Sequence, residues 1–275
     1  MWKFKGVIFD KHHAQLPTVI TTENGFRVYY STKMDGKSYI RFFDIDDDLN
    51  QIGKDNLALS LGKLGTFDQS GVMPSCIVGN LMYYTGWHLR ADVPYSHSIG
   101  VATINEDGTL SRNSDGPILG HNFYSPYLLN SPFVEFDENK KMWKMYYCNG
   151  TGWVNNHPTY NISAAYSDNK IDWKTSENIE ITMGLKDEAI SRVCRDCLSG
   201  ILYFSYKTST SSYDIFSKNS NGEIFNVEID RNNWDSNMRC YPWVCRKESN
   251  KYLFYNGNNY GLTGIGVAKW KEDIG

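Results

Sequence analysis

Four acidic residues stand at recurrent offsets ahead of short apolar segments. Asp68 lies six residues before Pro74, Asp187 and Glu188 lie six and five before Val193, and Asp235 lies seven before Pro242. Like offsets in like units bring side chains to similar heights around a common axis. Carboxyls crowded into one cavity drive their pKa values apart, so one stays protonated near neutrality while another is ionised. That is the chemistry of a general acid beside a general base. The expected pair is Asp68 as base or nucleophile and Glu188 as acid, with Asp235 orienting or tuning them. Each acid also has a plainer reading, as a loop cap or turn hydrogen bond between strands. Asp187 is read as a cap.

Other side chains suggest binding. His12 and His13 adjoin the same kind of segment, and neighbouring strand residues face opposite ways, so one of them can face inward. His13 is preferred because it alternates with Gln15 and Pro17. Arg192 and Arg239 sit just before their strand anchors and suit a carboxylate or phosphate of an acidic sugar or sugar nucleotide; a salt bridge is the plainer reading. Trp87, Trp153 and Tyr260 each neighbour a glycine, which lets backbone and ligand approach closely. They are expected as stacking platforms. Cys194-x-x-Cys197 sits in an extended segment where the two sulfurs diverge, and His88, His97, His121 and His157 show no tetrahedral spacing. No metal site and no cofactor is expected.

These residues need a scaffold, and a weak internal repeat supplies it. Each unit has a polar opening, a short apolar strand often led by Pro, a Tyr-rich strand, and a third strand of small or alternating residues. Pro17, Pro74, Pro132, Val193 and Pro242 mark the units and lie 57, 58, 61 and 49 residues apart. Blades of three to four strands need about that length. Turn signals such as Asp35-Gly36 and Asn105-Glu106-Asp107-Gly108 fall between strands. No useful helical periodicity is present. The pattern predicts an all-β fold, a single five-bladed β-propeller over residues 1–275. Its ring is closed by residues 3–9, added to the edge of the C-terminal blade.

Composition sets the outer bounds. Of the 275 residues, 15% are aromatic, including 19 Tyr and 8 Trp. Rings favour strands, and they also stack on the apolar C–H face of a pyranose. The formal net charge of −3 argues against a nucleic-acid binder. No apolar run is long enough for a transmembrane helix, and the N-terminal residues read as a strand, so a cytoplasmic location is expected. The six Cys are expected as free thiols.

The repeated polar segment, x-Pro-x-Val/Ile strand and Tyr-Tyr strand resemble the five-bladed propeller superfamily of glycoside hydrolases. That superfamily includes arabinanases, β-xylosidases, invertases, levansucrases and mannoside phosphorylases. Residues 13–19, 65–75 and 255–261 are similar to glycosidase-like proteins found near bacterial surface-polysaccharide genes. The resemblance implies glycan or activated-sugar chemistry in the central cavity, where two carboxyls cleave a glycosidic bond. In those families an acid stands just before the Pro of blades one to three. Here the slots hold Gln15-Leu16 and Asn130-Ser131, which cannot act as acid or base. A second reading is therefore kept: a non-hydrolytic sugar- or sugar-nucleotide-binding or modifying protein on a hydrolase scaffold. A third is an interaction propeller without a small ligand.

Overall fold

The computed structural model describes residues 1–230 and 232–271, and its regular elements are strands apart from one turn of helix at Asn258–Gly261. The first sheet holds β2 (Gln15–Thr22), β3 (Gly25–Ser31), β4 (Ile40–Ile45) and β5 (Gln51–Leu59). The second holds β6 (Gly71–Val78), β7 (Leu81–Leu89), β8 (Tyr95–Ile104) and β9 (Leu110–Arg112). The third holds β10 (Leu129–Asp137), β11 (Met142–Val154), β12 (His157–Ser167) and β13 (Lys174–Ile181). The fourth holds β14 (Ala189–Arg195), β15 (Leu202–Lys207), β16 (Asp214–Lys218) and β17 (Ile224–Asn226). The fifth holds β18 (Cys240–Lys247), β19 (Asn250–Asn256) and β20 (Ile265–Trp270).

Within each of these groups the strands are antiparallel neighbours in chain order, and the third and fourth groups are joined into one eight-stranded sheet by a single parallel pair, Tyr160 with Ala189. The fifth sheet takes its fourth strand from the other end of the chain: β1 (Trp2–Phe9) pairs with β20. The innermost strands touch in cyclic order, β2 with β6, β6 with β10, β10 with β14, β14 with β18, and β18 with β2. The fold is thus a closed β-propeller, sealed by the N-terminal strand as the sequence predicts. Among the described residues no helix is long and apolar enough to cross a membrane.

The Tyr-rich segments are the second strands. Sheets pack on both of their faces, so they need near-continuous apolar runs rather than alternation. Tyr29, Tyr30, Tyr83, Tyr84, Tyr147 and Tyr255 are fully buried there. Outer strands such as β5 meet water and are polar.

Every innermost strand is interrupted by an irregularity in its ladder, at the same place in each repeat. The register shifts between Gln15 and Thr18, Pro74 and Cys76, Asn130 and Phe133, Ser191 and Cys194, and Cys240 and Trp243. In four of the five, the residue before the unit's anchor is left-handed: Leu16, Ser131, Arg192 and Tyr241 have φ of 58°, 49°, 59° and 58°. A bulge leaves one residue unpaired and re-aims its side chain. Each freed N–H is taken up by a small side chain on the second strand of the preceding blade. Leu16 N donates to Asn256 Oδ1 at 2.8 Å, Ser131 N to Thr85 Oγ1 at 2.9 Å, and Tyr241 N to Ser205 Oγ at 2.7 Å. The Arg192 backbone pairs with the Cys148 thiol in the same way.

Candidate functional site

The bulges open onto one end of the propeller axis, where a cavity of about 470 Å³ lies. Leu16, Met73, Ser131 and Tyr241, the residues before four anchors, line it. Gln15 of β2, Asn130 of β10 and Ser191 of β14, each two positions before its anchor, line it as well. The hairpins of the second and third blades overshoot their sheets and add a wall. β11 and β12 run 13 and 11 residues, about twice the usual strand length. The starts of β8 and β12 contribute Tyr95, His97, His157 and Tyr160. Tyr260 reaches in from a turn in which Asn259 and Tyr260 are both left-handed, at φ 54° and 56°.

Rings dominate the surface: Trp87, Tyr95, Tyr160, Tyr213, Tyr241 and Tyr260. Burial holds the Tyr160, Tyr213 and Tyr241 phenols well above their ordinary pKa, so they are neutral donors. Trp87 is fixed by donation from Nε1 to Ser38 Oγ at 2.7 Å. Gly71 makes room for that contact, since a Cβ there would lie 2.0 Å from Trp87 Nε1.

His97 stacks on Tyr95, with centroids 4.6 Å apart and planes 12° apart, and its Nδ1 lies 3.3 Å from Asn130 Nδ2. Burial, aided by the nearby His88 and His121, pushes its imidazole down to about 3. It is therefore neutral at physiological pH. His13 is lowered too, by burial first and then by Lys33, against opposing backbone contacts from Asn259 and Tyr260. Its Nε2 lies 3.2 Å from Gln15 Nε2, and Gln15 also donates to the Tyr260 carbonyl. His13, Gln15, Trp87 and Tyr260 thus all face this cavity, whereas His12 points toward Asp55 at 4.0 Å.

The three acids expected to converge here do not. Among the described residues, the lining of the cavity contains no Asp or Glu. Asp68 is 1% exposed and accepts from Tyr84 Oη at 3.1 Å, Arg112 Nε at 2.8 Å and Thr66 Oγ1 at 2.9 Å. Glu188 is buried and accepts from Met183 N at 2.8 Å, Leu185 N at 3.3 Å and Thr182 Oγ1. Asp235 is buried and accepts from Tyr255 Oη at 2.9 Å and Asn232 N at 3.1 Å. Buried carboxylates need such donors, and these three spend theirs on closing turns and bracing the second strands. Asp187 does cap, accepting from Ser209 N at 3.0 Å.

Both arginines are corrected as well. Arg239 is 3% exposed and forks onto Asp214, with Nε and Nη2 at 2.7 and 2.8 Å from the two carboxylate oxygens. Arg192 is 1% exposed and lies beyond the cavity floor. Its guanidinium donates to Pro74 O and Pro17 O at 2.6 Å, to Thr18 Oγ1 at 2.6 Å and to Leu16 O at 3.3 Å. Burial pushes its pKa down to about 10, which still leaves it charged. Trp153 sits behind the wall, edge-on to Tyr95 with centroids 5.5 Å apart.

The cavity side chains that sequence reasoning missed are chiefly Tyr95, Tyr160, Tyr213, Tyr241, Lys33, Lys37 and Lys207. A signal existed for Tyr241, which occupies the slot before Pro242. None existed for the others, which depend on how far two hairpins overshoot and on which loops fold over the axis.

No protein-family model matches the chain. Two curated proteins of Mycobacterium tuberculosis are similar to it over 298 aligned residues, 97% of this chain and 98% of theirs. They are uncharacterized protein MT1551 of strain CDC 1551 / Oshkosh, at 28% identity, and uncharacterized protein Rv1502 of strain ATCC 25618 / H37Rv, at 29%. Among solved structures, a complex of BT0996 with RGII matches with a TM-score of 0.74 at 15% identity, over 98% of this protein and 90% of that one. A glycoside hydrolase matches at 0.73 and 15%, over 98% and 91%. The endo-arabinase of Bacteroides thetaiotaomicron VPI-5482 matches at 0.64 and 13%, over 99% of both proteins. At these identities the likeness is one of architecture, and the chain shares the β-propeller fold of these structures.

Proposed function

We propose that the protein binds a carbohydrate in the axial cavity without the paired carboxylates of ordinary glycoside hydrolysis. The lining carries this reading: six aromatic rings interleaved with the Gln15 and Asn130 amides and the Ser38 and Ser131 hydroxyls, and no acid among the described residues. A pyranose presents an apolar face to rings and a rim of hydroxyls to such groups. The volume falls within the range of small-molecule sites. The neighbouring BT0996 structure is described in complex with RGII, which supports a sugar ligand. A sugar nucleotide is a second form of ligand that the same rings suit. The setting in bacterial surface-polysaccharide metabolism rests on the resemblance of residues 13–19, 65–75 and 255–261.

A sugar-modifying reaction is the second reading, favoured by one observation. His13 lines the cavity with its pKa lowered by burial, and a neutral imidazole can accept a proton. One screen serves both readings. Oligosaccharides, aryl glycosides and sugar nucleotides are tested for binding by calorimetry and for turnover. Binding is expected to weaken in Trp87→Ala and Tyr241→Ala and to persist in Glu188→Gln. Hydrolysis by the wild type that disappears in a folded Glu188→Gln variant would return the carboxylate mechanism to first place.

A further inference from the structure

The protein as a whole is slightly acidic, with a formal charge of −3, yet among the described residues its cavity is lined by Lys33, Lys37 and Lys207 and by no acid. Lys33 and Lys37 come from the loop between β3 and β4, and Lys207 ends β15. Among the described residues, no carboxylate lies within ion-pair distance of any of the three, although other lysines, such as Lys144, Lys247 and Lys251, have such partners.

Lys207 is the most firmly placed. Its Nζ donates to Tyr260 Oη at 3.1 Å and lies 5.0 Å from the Tyr213 ring centre and 5.5 Å from that of Tyr260. The rings hold the ammonium group and supply no compensating charge. Its position is also strategic. A smaller cleft of about 240 Å³ adjoins the cavity, and His157, Pro158, Lys207 and Tyr260 line both. The cleft adds the hydroxyl-bearing Thr208, Ser209 and Ser211, and also Asp187, whose carboxylate accepts from Ser209 N and Oγ. An uncompensated cation in a partly enclosed, ring-lined space focuses a positive potential. It offers an anion a charge-assisted hydrogen bond, the stronger kind.

We propose that this site selects an anionic sugar, whose carboxylate or phosphate is clamped by Lys207 while Lys33 and Lys37 add to the attraction. The proposal rests on the carbohydrate-binding reading above and narrows it. The two anion sources share one chemistry and differ in where the charge sits on the sugar. Lys207 is then the specificity-determining residue, and the Trp87 and Tyr241 rings carry the part of the affinity that is blind to charge.

The test is titration calorimetry with matched pairs: digalacturonate against its dimethyl ester, and glucose 1-phosphate against glucose. At least one anion is expected to bind about tenfold or more tightly than its neutral counterpart, the usual scale for a hydrogen bond to a charged group. The member that shows the gap tells a uronate from a phosphate. Raising the salt concentration and replacing Lys207 with Met should both erase the gap, and Lys207→Arg should keep most of it. Equal binding of both members of each pair, unchanged in Lys207→Met, overturns the charge selection and leaves sugar binding standing. Absence of binding by all four sugars overturns both readings.

Discussion

At the scale of single residues, recurrence of an acid marks a brace. Asp68 and Asp235 repeat because each receives the hydroxyl of a buried tyrosine from its own blade's second strand, Tyr84 or Tyr255. In the third blade the same duty falls to Ser125, 3.0 Å from Tyr147 Oη. Spacing revealed the periodicity of these positions, but a brace and a catalytic acid share the same periodicity. Asp68→Asn should therefore lower stability by about 3 kcal/mol, because it leaves Arg112 and Tyr84 facing an amide in a buried pair. Urea titration measures that loss, and ligand affinity at the cavity should be unchanged.

His97 belongs at this scale too. Its folded pKa of about 3 lies below the ordinary 6.5. The unfolded chain thus binds more protons between those values, and stability falls as pH drops from 6.5 toward 3. Above 6.5 the residue has no pH effect. His97→Gln should flatten that limb of the stability profile. Imidazole resonances of the native protein should show His97 untitrated at pH 5.

At the scale of elements, the latch between blades decides what faces the axis. A regular strand would alternate its side chains, and on that rule His13, Gln15 and Pro17 share one face. The bulge breaks the rule at Leu16, which joins Gln15 in the cavity. The anchors were legible because Pro and small apolar residues follow each bulge. The bulges themselves were not, because Leu16, Ser131, Arg192 and Tyr241 have nothing in common but backbone conformation. Latch residues Thr85, Cys148, Ser205 and Asn256 each follow a buried aromatic on the second strand, a position visible in the sequence once its partner is known. Thr85→Val keeps the shape and removes the acceptor for Ser131 N. It should cost about 1–3 kcal/mol, the penalty for a buried donor left alone. It should also weaken ligand binding, since Ser131 lines the cavity. Thermal melts and the calorimetric titration check the two halves.

At the scale of the whole molecule, closure was the most legible feature. Five similar units leave two exposed edges, and the apolar N-terminal segment is the piece that fits one of them. Trp2 shows the tightness of that seal: it is 2% exposed and edge-on to Tyr203 and Trp270, with centroids 6.2 and 5.3 Å away. At the other end of β1, Phe9 stacks on Phe43 of the first blade at 4.4 Å. Trp2→Ala should cost about 3 kcal/mol or more, the range for truncating a large buried ring. Hydrogen exchange should report the loss first in β1 and β20. The site was far less legible than the ring, because it is assembled from loop excursions and hairpin overhangs that no repeat encodes.

The arginine on the axis has one more effect. Arg192 fastens the first and second blades to the fourth through carbonyl oxygens and stands over the Trp243 ring, 5.6 Å from its centre. It thereby stoppers the tunnel that five sheets would otherwise leave. A long polymer cannot be threaded through such a molecule. A ligand in the axial cavity therefore leaves on the side from which it entered.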